Sequence, residues 1–140
     1  MTKHHGAWGL EAIQAHIAAG LPMLPLFRVE VLRAEADSAT IKLNDGPHIT
    51  RPGGSVAGPV LFAMADVAAY ALILAQRGDA DAVTVDLTIN FLRPALRLPL
   101  LAEATTLRAG KRLFTAEVVI CSEAEPGRKL VQATATYALS

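Results

Sequence analysis

Apolar residues at Leu10, Ile13, Ile17 and Ala18 recur at helical spacing and Gly20 closes the run, which predicts a short covering helix over Leu10–Ala19. Pro22 and Pro25 then force an extended passage. Val29 and Val31 alternate with charged residues, and Ala39, Ile41 and Leu43 with polar ones, as expected of two antiparallel strands turned near Ala36 and Asp37. Asn44 to Gly58 has no period and is dense in Gly and Pro, the composition of a long loop that carries function.

Pro59 to Arg77 reads as the main helix, with Pro59 suited to its first turn and Gly78 to the position after its last. Only Asp66, Tyr70, Gln76 and Arg77 interrupt its apolar character, so protein must surround it, as a curved sheet would. Ala82 to Leu92 supplies one strand of that sheet. Val83, Val85, Leu87, Ile89 and Phe91 are assigned to a core face and Thr84, Asp86, Thr88 and Asn90 to a polar one. Leu98–Leu107, Leu113–Ser122 and Lys129–Leu139 are further strands, parted by turns at Gly110-Lys111-Arg112 and Pro126-Gly127-Arg128. The order is helix, two strands, long helix, four strands, an α+β arrangement without repeats or linkers.

At 140 residues this is one expected domain, residues 1–140. A hydrophobic share of 52% is high for a soluble monomer and implies surface hidden by self-association, so a homo-oligomer is expected. Lys plus Arg equal Asp plus Glu at 13 each, which leaves no net field to gather nucleic acid or an anionic membrane; neither is an expected partner. The run Pro59–Ala75 is broken by Asp66 and stops short of a bilayer span. The single cysteine, Cys121, allows no intrachain disulfide or multi-cysteine metal cluster, and Met1–Gly6 is not followed by the apolar stretch of a secretory signal, so a cytoplasmic setting is expected. His4, His5, His16 and His48 lack metal-ligand spacing, and no metal site or Ser-His-Asp arrangement is predicted.

The segment Gly54-Ser55-Val56-Ala57-Gly58-Pro59-Val60-Leu61-Phe62-Ala63-Met64-Ala65-Asp66, with Ala82-Val83-Thr84-Val85-Asp86-Leu87 and Ile89-Asn90-Phe91-Leu92-Arg93-Pro94, resembles the hotdog-fold thioesterases of the phenylacetate-degradation (PaaI-like) family. The resemblance runs from about Arg28 onward. It implies a hotdog fold and hydrolysis of an acyl-CoA thioester to a carboxylic acid and CoA. It also implies a dimer or dimer of dimers, with no cofactor beyond the CoA of the substrate. The family's loop typically reads Asn, then His-Gly-Gly six residues later, with the catalytic acid nine after the His. Those positions hold Arg51, Ala57, Gly58, Pro59 and Asp66 here, so the acid and first Gly remain in a variant branch without the Asn and His.

The resemblance makes Asp66 the general base or nucleophile, Gly58 the N–H that polarises the carbonyl and Thr84 the orienting hydroxyl. An Asp within an apolar helix also needs explaining on its own, because burying a carboxylate is costly; a structural helix-to-loop hydrogen bond is the alternative. For Gly58 the alternative is an ordinary N-terminal glycine, and for Thr84 a residue chosen for strand propensity. Arg51 has three readings: contact with the substrate carbonyl, pairing with Asp66, or solvation. Phe62 and Tyr70 share a helical face with Asp66, as acyl-pocket or merely core residues. Asn90 is a further substrate-binding candidate. Arg93, Arg108, Lys111 and Arg112, near strand ends or a turn, are candidates for the CoA phosphates or are simply solvated. Asp66 lies eight residues past Gly58, roughly 12 Å along the axis at 1.5 Å per residue, so a shared site calls for Gly58 of a second chain. An acyl-CoA binding protein of weak activity is the second reading, and a hotdog dehydratase, disfavoured by the missing loop His, the third.

Overall fold

The computed structural model describes residues 6–21, 23 and 27–140; Pro22, Pro25, His4 and His5 lie outside them. The order of elements is α1 (Leu10–Gly20), β1 (Val29–Ala34), β2 (Ser38–Leu43), α2 (Gly58–Arg77), β3 (Val83–Phe91), β4 (Leu100–Ala109), β5 (Leu113–Ser122) and β6 (Val131–Ala138). All six strands form one antiparallel sheet, ordered β1-β2-β4-β5-β6-β3, so β3 lies at an edge. One long helix packed on such a sheet is the hotdog fold that the family resemblance implies.

Alternation drives this assembly. On β5 and β6 every second residue is buried, and the apolar side chains of Ile41, Leu100, Phe114, Val118, Ile120 and Val131 pack against α2. The helix answers with small and medium residues, Met64, Ala65, Ala68, Leu72 and Ile73 among them, all inaccessible to solvent. Pro59 sits in its first turn, where a missing N–H costs nothing, and Gly78 ends it in the left-handed region (φ 64°), donating to Ile73 O and Leu74 O. By length and composition α2 could cross a bilayer, contrary to the estimate from Pro59–Ala75; 67% of its most apolar window is buried in the fold, as in a core helix. α1 lays Ile13 and Ile17 on the core, while Ala18, assigned to the same face, is exposed.

Two corrections bear on function. The first concerns β3. A bulge between Thr84 and Asp86 interrupts its pairing with β6, where Thr84 opposes Tyr137, Leu87 opposes Ala135 and Ile89 opposes Ala133. The added residue resets the alternation. Thr84 therefore joins Leu87, Ile89 and Phe91 on the helix side, whereas Asp86, Thr88 and Asn90 keep to the outer face. The assigned core face is also largely uncovered, with Val83 58%, Val85 54% and Phe91 54% exposed.

The second correction concerns α2, which the sheet does not fully enclose. Pro59 and Phe62 are exposed and Ala63, Asp66 and Tyr70 half-buried, a strip beside the free edge of β3. Asp66 is thus not a fully buried carboxylate.

Candidate active site

Helix geometry and the β3 bulge converge on Asp66. Thr84 Oγ1 donates to Asp66 Oδ1 over 2.7 Å, and Tyr137 OH donates to the same oxygen over 2.6 Å, lying 3.0 Å from the Asp66 carbonyl oxygen as well. No protein donor reaches Oδ2 among the described residues. Burial, and next the nearby Asp66 carboxylate, pushes the Tyr137 phenol far above its usual value, so it stays a donor at any physiological pH. The three side chains come from α2, β3 and β6.

They open on a cavity of about 290 Å³ whose other walls include His16, Ile17 and Leu21 near or on α1, Val67 and Tyr70 on α2, and Val83 on β3. Tyr70 OH donates to Ala80 O at 2.7 Å, so the His16 Nε2 group 2.9 Å away must be its donor, which places the His16 proton on that nitrogen. Burial, then the charges of Asp81 and Asp79, raises the Tyr70 phenol too. With those polar atoms satisfied by one another, the cavity presents mostly aromatic and aliphatic surface, with the Asp66 carboxylate as the ionisable group on its wall that keeps an oxygen without a protein donor.

Gly58 occupies a different cavity, with Arg51, Ser55, Leu61, Phe91, Leu92 and Arg93. The loop that builds it folds back through a Thr50–Val56 bridge and a turn at Gly53 and Gly54 (φ 101° and 90°), where only glycine is unstrained. Gly58 N–H precedes the first helical bonds, which run from Val60 and Leu61 to Ala57 O, and has no acceptor among the described residues. A Cβ at Gly58 would lie 3.6 Å from the Phe91 ring.

The predicted residues divide accordingly. Asp66, Thr84 and Tyr70 come together. Gly58, Arg51 and Arg93 form a second group, and within one chain Arg51 does not pair with Asp66. Arg93 Nη1 also donates to Lys129 O. Lys111 and Arg112 line an open basic cavity with Arg77 and Arg108; Leu139 N–H donates to Arg112 O, which sets this cavity beside the β6 end that carries Tyr137. Phe62 is exposed and lines neither cavity. Asn90 lies on the outer face and donates to Gln132 Oε1, so its assignment to substrate binding is not supported by its position. His48 is a loop residue as expected, and no cluster of metal-ligating side chains occurs among the described residues. Tyr137 and His16 were missed. The first was legible, since alternation along β6 turns Tyr137 inward with Ala133 and Ala135, and an inward phenol needs an acceptor.

Residues 53–127 match the model of the thioesterase superfamily. Over 90 residues the chain is 31% identical to an inferred esterase, SSO1253, of Saccharolobus solfataricus, a match covering 64% of this chain and 60% of that protein. The chain thus spans about three-fifths of the length of that relative. An inferred thioesterase of Silicibacter sp. superposes with TM-score 0.83 and 27% identity over 99% of this chain and 95% of the other. Zebrafish thioesterase superfamily member 2 superposes equally well, with TM-score 0.83 over 96% of this chain and all of that one, but at 24% identity it speaks to fold alone.

Proposed function

Because the chain belongs to the thioesterase superfamily, we propose that it hydrolyses acyl-CoA thioesters to a carboxylic acid and CoA, as a variant PaaI-like enzyme of the cytoplasm. One observation carries the reading: the Asp66 carboxylate, held through Oδ1 by two hydroxyls, keeps Oδ2 available at a largely apolar cavity suited to an acyl chain. Oδ2 either takes a proton from water as that water adds to the thioester carbon, or adds to the carbon itself and is released by water afterwards. CoA leaves as the thiol in both cases.

A carbonyl in this cavity needs a donor for its developing negative charge, and the free N–H at the positive end of α2 suits that role. Gly58 of the same chain lies in the other cavity, so a second copy must supply it. The free β3 edge suits such an assembly, being apolar and unpaired. Antiparallel pairing of two β3 strands about Leu87 would set the Val83–Thr84 end of one against the Phe91 end of its mate. It would thereby bring Asp66 towards the mate's Gly58, and would cover the exposed strip of α2. A dimer of dimers keeps the same site. Arg51 and Arg93 would then border the thioester from the mate's side, and Lys111 and Arg112 would meet the CoA phosphates.

The test is a panel of aromatic and aliphatic acyl-CoAs with detection of the freed thiol. Turnover on at least one member is expected. Ala57 and Arg51, standing where the family has His and Asn, favour one rival, a protein that binds acyl-CoA without hydrolysing it; binding across the panel with no thiol release would establish that instead.

A further inference from the structure

Tyr137 has no part in the loop-and-helix motif that marks this superfamily, yet it makes the shortest hydrogen bond to the Asp66 carboxylate, 2.6 Å to Oδ1. Its ring is fixed from two sides. It opposes Thr84 and Phe114 across the neighbouring strands and stacks on Tyr70, with centroids 6.1 Å apart and planes inclined by 22°. Tyr70 is itself fixed, since its hydroxyl is committed to His16 and Ala80 O. The Tyr70 hydroxyl therefore cannot serve the carboxylate, and Tyr137 is the donor that the core holds rigidly against it.

We infer that Tyr137 is a positioning residue: its phenol, with Thr84, clamps Oδ1 of Asp66 and so fixes Oδ2 as the oxygen that meets the substrate. A carboxylate on a helix can rotate about its last side-chain bond, exchanging its two oxygens. Two donors on one oxygen remove that freedom and leave the other without a protein donor, turned to the cavity. The phenol's resistance to ionisation suits the task, because an ionised Tyr137 would repel Asp66. The kinetic part rests on the hydrolytic reading; the geometric part does not.

The test is Tyr137→Phe in the full chain, which keeps the ring and its stacking. In the thiol-release assay kcat should fall about ten- to hundredfold, the scale of one hydrogen bond to a charged group, with KM within about twofold. Independently of turnover, a crystal structure of the variant should show the Asp66 carboxylate in more than one orientation, where the wild type holds Oδ1 on both hydroxyls. Should Tyr137→Phe unfold, the wild type decides: the Tyr137 hydroxyl proton should appear downfield by NMR, slow to exchange, and should shift in Asp66→Asn, whereas a fast-exchanging hydroxyl overturns the inference. A carboxylate that keeps its single orientation in Tyr137→Phe overturns it whatever the kinetics do. A freed carboxylate with unchanged kcat in an active enzyme also overturns it. A wild type that turns over no acyl-CoA defeats the hydrolytic reading alone, since the carboxylate's orientation still decides whether Tyr137 holds it.

Discussion

Thr84 stands directly opposite Tyr137 in the β3–β6 ladder, and the two hydroxyls converge on a single oxygen of Asp66, at 2.7 and 2.6 Å. The pairing exists because the strand bulges just after Thr84. Without that residue the alternation would return Thr84 to the outer face, beyond reach of α2.

Asp66→Asn keeps the volume of the side chain and removes its charge. The rate should fall by about a hundredfold or more, the usual share of a positioned acid-base group, while thermal unfolding followed by circular dichroism and acyl-CoA binding hold close to wild type. A variant that retains its rate, or loses it only by unfolding, returns Asp66 to a structural role.

Thr84→Val keeps the branched shape that suits a strand and deletes the hydroxyl. A loss of about tenfold or more in kcat with little change in KM is expected, corresponding to one hydrogen bond to a charged group. Kinetics equal to wild type would leave Thr84 a residue of strand propensity only.

Subunit mixing tests the shared site. Asp66→Asn lacks the charge, and Gly58→Val sets a branched side chain beside the N–H where the carbonyl would sit; each should be inactive alone and regain activity after exchange, because mixed dimers contain one site built from both intact groups. Random one-to-one exchange makes about half the dimers mixed, so about a quarter of all sites should work. No recovery after verified exchange, or a strictly monomeric protein in sedimentation, would count against it.

Lys111→Ala and Arg112→Ala should raise KM while sparing kcat, and the effect should shrink as salt is added, since exposed charges are screened within about 10 Å at 0.1 M. A KM that does not respond to either substitution would make them solvated turn residues.

Alkaline stability should depend on Tyr137. Its phenol is raised in the folded state above the ordinary 10.0, chiefly by burial. The sign is that of a group favoured in its protonated form by folding. Its contribution is fully present below pH 10.0 and declines as pH rises above that, by up to about 1.4 kcal/mol per pH unit. Urea unfolding from pH 8 to pH 11 should therefore show a steeper loss for wild type than for Tyr137→Phe, and parallel curves would contradict the burial of the phenol.

The sequence by itself determined the elements and their order, because hydrophobic period separates helix from strand locally. Pro59 and Gly78 bracket α2, and the Gly- and Pro-rich turns bracket β5, by backbone preferences that need no partner. It also singled out Asp66, since a carboxylate amid apolar helix residues is anomalous wherever the helix packs. Tertiary structure decided what those residues meet. A one-residue bulge leaves no mark in an alternating pattern, so the alternation puts Thr84 on the outer face with Asp86, Thr88 and Asn90, whereas the structure turns Thr84 alone of the four toward the helix. Strand order placed β3 at the edge and left Val83, Val85 and Phe91 uncovered, although their pattern is that of a core strand. Tyr137 lies 71 residues from Asp66 in the chain. Only the pairing of β6 with both β3 and β5 carries its hydroxyl to that carboxylate, because contacts between distant segments follow from how the elements pack and not from the period of any one of them.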